Sequence, residues 1–218
     1  MRLTEGTLII LIASIFISLS CGTGNSKETW IDKDSVFETS SLKADTIVIK
    51  IQPYSDFSEK LTNNLFEQLK KLYPYVELNE PIPLPKQAYY APRNRYKADT
   101  LIRYLWKNSK SYINTIGLTS KDISTTKDNI SDWGIMGLGY MPGNACVVST
   151  FRLDKKNIQE QLYKVAIHEL GHTQGLKHCP DKSCFMRDAE GKNHTNEEKY
   201  FCPECKTVLV KKGWVFND

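Results

Sequence analysis

Two periods alternate along this chain, and each period reports an element. Residues 46–51, Thr-Ile-Val-Ile-Lys-Ile, form a β-branched run that predicts a strand. Leu61, Leu65, Phe66, Leu69 and Leu72 then keep the three- and four-residue spacing of one helix face, and Pro74 ends the run. Asp56, with Glu59 three residues on, has the form of a capping box and predicts the start of that helix. A short strand is expected over 75–78. Pro81, Pro83, Pro85 and Pro92 predict an extended, irregular segment. Ala98, Leu101, Ile102, Leu105 and Trp106 mark a second helix. Strands are expected over 112–118 and 146–151, with a glycine-rich stretch at 134–143 before the latter. Asp154 is placed to cap a third helix running to about Gly175. After Gly175 the periodicity vanishes and an irregular, compact tail is expected. Strands alternating with helices predict a mixed α/β layer structure.

The first residues follow a different pattern. Residues 7–20 are an uncharged run of 14, too short for a span of about 20 and suited to the core of a signal peptide. The run stops at Ser20-Cys21-Gly22, which resembles a bacterial lipobox, where the cysteine becomes the lipidated N-terminus. An ordinary cleaved signal and an uncleaved anchor are the alternatives. Residues 22–44 are polar and rich in Ser and Thr, as a flexible tether would be. The expected organisation is a lipoprotein-type signal over 1–20, a tether over 21–44 and a folded domain over 45–218. The expected place is the bacterial cell envelope, with Cys21 lipidated and holding the chain on a membrane.

Composition narrows the field further. The chain has 218 residues, 40% hydrophobic and 25% charged, which excludes wholesale disorder and fits one globular domain. The net charge of +4 comes without a dense Lys/Arg stripe, so no nucleic-acid partner is expected. Six cysteines in this length fall below the density of a disulfide scaffold.

The chemistry lies between residues 168 and 205. The third helix carries His168-Glu169-Leu170-Gly171-His172. Four residues are about 400° of helical rotation, so His168 and His172 stack on one face and can bind a single zinc ion. Glu169 lies about 100° round the helix, where it can reach a metal-bound water without ligating; this is the general-base position of HExxH metalloproteases. Gly175 can end the helix with a positive φ and return His178 to the same metal. Three imidazoles leave a fourth position open, as a catalytic zinc requires. The full spacing, His168-Glu169-x-x-His172-x-x-Gly175-x-x-His178, is the extended metzincin pattern. Cys179 and Cys184, followed by Cys202-x-x-Cys205, can supply four thiolates to a closed, structural zinc site. In an exported protein these cysteines can instead pair as disulfides.

The zinc motif, an immediate Cys179, then Cys184-Phe185-Met186 and a final Cys202-Pro-Glu-Cys205, resembles the archaemetzincins. A weaker likeness extends upstream through Pro83-Leu84-Pro85 and residues 143–153. The resemblance implies a metzincin-like α/β fold and a zinc peptidase acting on a peptide or protein. It implies a catalytic zinc on His168, His172 and His178, with Glu169 as base, and a second zinc on Cys179, Cys184, Cys202 and Cys205. Met186 would then be the Met-turn residue beneath the catalytic metal; on its own it reads as core. The strand around residues 146–151 would border the substrate cleft. A monomer is expected.

Two other classes compete. One is a zinc-stabilised binding or scaffold lipoprotein that does not cut, against which the intact Glu169 argues. The other is a four-cysteine nucleic-acid module, against which the export signal and the charge pattern argue. Cys146 reads as a small buried hydrophobe. His194, in a polar loop, reads as solvated. Tyr89, Tyr90, Trp106 and Trp133 read as core or rim packing.

Overall fold

The computed structural model describes residues 46–107, 109–110, 112–189 and 191–217. The export segment, Cys21 and the tether expected up to residue 44 lie outside the described residues. In chain order the elements are β1 (Val48–Pro53), α1 (Glu59–Leu72), β2 (Val76–Leu78), β3 (Tyr89–Tyr90), β4 (Arg95–Lys97), α2 (Ala98–Lys107), β5 (Ile113–Thr119), β6 (Ile123–Lys127), β7 (Ile130–Ile135), β8 (Gly137–Gly139), β9 (Ala145–Ser149), α3 (Ile158–Thr173) and α4 (Pro203–Lys211).

The main sheet has the order β2-β1-β5-β9-β8. Its first four strands are parallel, and β8 is an antiparallel edge. Alternate residues serve opposite faces. Ile49, Ile51, Ile116, Leu118, Cys146 and Val148 meet α1 and α3 on one side. Ala145 and Val147 meet α2 through Leu101, Ile102 and Leu105 on the other. Burial on both faces explains why β9 reads as an almost unbroken apolar run, while β5, buried along nearly its whole length, also encloses Asn114, Thr115 and Thr119. Leu65 and Leu69 of α1 are fully enclosed, each contributing roughly 1.5–3 kcal/mol by area.

Both expected caps fall elsewhere. Ser58, not Asp56, caps α1 by accepting the Leu61 N–H at 3.4 Å. Asp56 sits two residues too early; its carboxylate instead accepts from Thr119 Oγ1 at 2.8 Å and Ser120 N–H at 2.7 Å, tying the end of β5. Asn157 is the cap residue of α3, without a side-chain bond, and Asp154 turns the chain ahead of it by accepting the Lys156 N–H at 2.9 Å. Gly175, at φ +88°, ends α3 as the spacing predicts.

Two further parts of the fold depart from the sequence pattern. The segment after the prolines feeds a second sheet, ordered β3-β4-β6-β7. Its strands are short, polar and partly exposed, so they lack an apolar alternation. Ion pairs supplement their ladders: Arg95 reaches Asp132 at 3.0 Å and also Asp122, and Arg152 reaches Asp122 at 2.9 Å. The tail is not wholly irregular either, because it contains α4. Pro203 opens that helix, and Trp214 beyond it stacks on Tyr73 with centroids 4.9 Å apart. Among the described residues no helix is long and apolar enough to cross a membrane.

Candidate active site and metal centres

The helix α3 presents His168 and His172 one turn apart, and the turn at Gly175 brings His178 back to them. The ring centroids are 4.6, 5.4 and 5.0 Å apart for the three pairs. One ring nitrogen from each lies within 4.8 Å of the others. The opposite nitrogens are held. His168 Nδ1 is 2.7 Å from the Phe185 carbonyl and His172 Nδ1 is 2.7 Å from the Leu176 carbonyl. A carbonyl only accepts, so both Nδ1 atoms carry the proton and both Nε2 lone pairs are free for a metal. His178 Nδ1 is 3.1 Å from Asp188 Oδ2. Burial and the neighbouring His172 hold His168 down to about 4, and burial lowers His172 too. Neutral imidazoles are what a zinc ion needs.

Glu169 is buried beside this trio. Burial pushes its carboxyl up to about 8, and a hydrogen bond from the Gly139 backbone works the other way. The edge strand β8 lies directly on the helix here. A Cβ on Gly137 would stand 2.6 Å from Glu169 Cγ, and one on Gly139 would stand 2.6 Å from the Glu169 carbonyl oxygen. Only glycine permits that approach. The sequence marks this stretch as glycine-rich without revealing what the glycines meet. The strand bordering the cleft is therefore β8. The expectation that the 146–151 strand borders it is corrected, because β9 pairs with β5 on one side and β8 on the other and has no free edge.

Met186 is fully enclosed beneath the helix. A Cβ on Gly171 would stand 2.3 Å from Met186 Sδ, so the glycine between the two histidines makes room for the sulfur. Its neighbour Phe185 supplies the carbonyl that orients His168.

The four cysteines also converge. The sulfurs of Cys179, Cys184, Cys202 and Cys205 lie within 4.8 Å of one another. Backbone N–H groups of Met186 and Cys202 both point at Cys184 Sγ from 3.4 Å, a pattern that suits thiolates. All five described cysteines are free. In the metal-free chain burial pushes the Cys202 thiol up to about 11 and raises Cys205 further. A coordinated zinc ion would reverse that by deprotonating both. The two clusters share one segment: the Cys179 N–H donates to the Met186 carbonyl at 2.7 Å. Cys146 is a buried core thiol on β9, raised by burial and then by Glu169.

A cavity of about 670 Å³ opens over the histidines, between β7 and β8 on one side and residues 187–198 on the other. His194 lines it and is only 17% exposed, with Nδ1 3.5 Å from Glu197 Oε1, so the solvated reading is corrected. Its loop folds back over α3, which a local polar pattern does not reveal.

A cleft beside an edge strand, two imidazoles one helical turn apart with a third returned to them beyond Gly175, and an adjacent buried carboxyl define a zinc metallopeptidase. The model of peptidase family M54 matches residues 59–211, and the chain belongs to that family. Two archaemetzincins are among its relatives. That of Methanopyrus kandleri is 35% identical over 137 residues, 60% of this chain and 76% of its own length. That of Archaeoglobus fulgidus is 31% identical over 170 residues, 74% of this chain and 98% of its own. The crystal structure of the Methanopyrus kandleri protein matches with a TM-score of 0.66 at 26% identity, covering 79% of this chain and 98% of that one. That of the Archaeoglobus fulgidus protein, complexed with malonate, matches with a TM-score of 0.62 at 27% identity, covering 74% and 99%.

Proposed function

We propose that the chain hydrolyses peptide bonds with one catalytic zinc on His168, His172 and His178, and that Glu169 is its general base. Zinc bound there would supply Lewis acidity and bring the pKa of a water towards about 7. Glu169 accepts the proton of the attacking water and later delivers it to the leaving amine. Its low exposure keeps the carboxylate dry, and the charge of a zinc ion bound beside it would favour the ionised form that accepts a proton. The open edge of β8 binds the substrate backbone as an added strand. A second, structural zinc on Cys179, Cys184, Cys202 and Cys205 holds the segment that carries His178 and the Phe185 carbonyl.

The observation that carries the reading is the buried Glu169 carboxyl placed between three convergent imidazoles and a glycine edge strand. The test is Glu169→Ala, with metal content and peptide turnover measured together. Both metals are expected to remain while kcat falls by about 10²–10⁴-fold or more. Undiminished cleavage would remove Glu169 from the base role.

The reading extends to the whole chain: a signal over 1–20, lipidation of Cys21, a tether to residue 44, and a monomeric peptidase domain facing envelope proteins or incoming peptides at a bacterial membrane surface. Its support is the apolar run ending at Cys21 and the polar stretch after it.

A further inference from the structure

The cleft continues past His168 towards the N-terminal end of α3, where Lys164 and Val165 face the segment that follows Met186. Glu198 lines this end and is only 6% exposed. No hydrogen bond or ion pair joins its carboxylate to another described residue. The cations that face it are already matched. Lys164 Nζ is 2.6 Å from Glu160 Oε1 and 2.7 Å from the Thr195 carbonyl. Arg187 is 2.6 Å from Glu197 Oε2. Glu198 is thus the unmatched acid of the group. Burial pushes its carboxyl up to about 7, and Lys164 and Arg187 pull only part of that back. Its carboxylate oxygens are not among the fully enclosed, unpartnered polar atoms of the described residues, so the acid opens onto the cleft, where a cation entering the recess can pair with it.

The direction of the cleft says which substrate residue arrives there. Gly137 lies on the Glu169 side chain, and Gly139 lies farther along, 3.3 Å from His172 Cβ by its own virtual Cβ, so β8 and α3 run the same way. A peptide laid antiparallel on the open edge of β8 therefore enters beside His172 and leaves beside Lys164. Resting on the peptidase reading above, we propose that Glu198 is a specificity-determining residue that selects lysine or arginine at the substrate position just after the scissile bond. The long aliphatic stem of either residue would lie along Val165 while its charged head meets Glu198.

The test offers peptides that differ only at that position, with Lys, Arg, norleucine or Glu, to the zinc-loaded full chain and to its Glu198→Gln variant. The expected result is that kcat/KM for Lys and Arg exceeds that for norleucine by about 10- to 100-fold, with Glu poorest, and that this ratio collapses towards one in E198Q. Equal rates for Lys and norleucine in the unaltered protein, or an unchanged ratio in E198Q, would overturn it. Calorimetry on zinc-loaded E169A, with and without E198Q, measures the same preference as a Kd and needs no turnover. Failure to cut any peptide would count against the peptidase reading alone. A lysine preference in binding that disappears in the double variant supports the role of Glu198, and its absence refutes that role.

Discussion

Gly137→Ala isolates the position of the Glu169 carboxyl from the metal. The added methyl would stand 2.6 Å from Glu169 Cγ, 2.6 Å from Oε1 and 2.9 Å from Cδ. Carbon contacts are comfortable at about 3.5–4.0 Å, so the carboxyl must move by roughly 1 Å. A displacement of that size in a reacting group costs about 10²-fold in rate. The cost in stability should be small. A side chain forced about 30° off its rotamer costs about 0.5–1.5 kcal/mol, and alanine in place of glycine returns about 0.4–1 kcal/mol through the unfolded chain. A net change within about 1 kcal/mol moves the midpoint of unfolding by only about 2–4 °C in a chain of this size. Gly139→Ala is the contrasting substitution. Its methyl would meet the Glu169 carbonyl oxygen at 2.6 Å, and backbone cannot rotate away. There β8 must lift from α3, at the overpacking cost of about 1–3 kcal/mol. The assay measures zinc content, kcat/KM on a pooled peptide substrate and thermal unfolding for both variants. Wild-type kcat/KM in G137A would refute the argument, and so would parallel loss of zinc and activity.

Other outcomes follow from the same geometry. Cys202→Ser should lose one equivalent of zinc and lower activity from a distance, since the cysteine cluster fixes the segment carrying His178 and the Phe185 carbonyl; native mass spectrometry and turnover check this, and a Cys202–Cys205 disulfide in native material would contradict it. In the metal-free protein the Glu169 carboxyl titrates near 8 against 4.5 unfolded, so the folded chain retains its proton longer and this group's contribution fades as pH rises through that window. The stability of wild type relative to Glu169→Gln should therefore decline from about pH 4.5 to about 8, by denaturant midpoints, and a flat difference would sink the assignment. Cys21→Ser should release the chain from membranes and abolish labelling by a fatty-acid analogue; retention as firm as wild type would make residues 7–20 an uncleaved anchor.

The features legible along the chain are local ones. His168, Glu169 and His172 share one helix, where spacing alone dictates which side chains lie together, and Gly175 ends that helix because few other residues accept φ +88°. Helices α1 and α2 and strands β1, β5 and β9 were legible because burying one face, or both, forces an apolar period on the chain. Packing of the layers settled what depends on partners far along the chain. It chose Ser58 over Asp56 as a cap by giving Asp56 the end of β5 to bind. It assembled the second sheet, whose polar strands lean on charges from other segments rather than on an apolar alternation. It supplied the Phe185 carbonyl, 17 positions from His168, that fixes the imidazole tautomer. It set β8 on α3, so that glycines with no periodicity of their own became the lid of Glu169. It also enclosed Glu198 and His194, which stand in a stretch that reads as solvated loop. Periodicity records only that a side chain is buried; distance and direction to a remote partner exist only once the layers have packed.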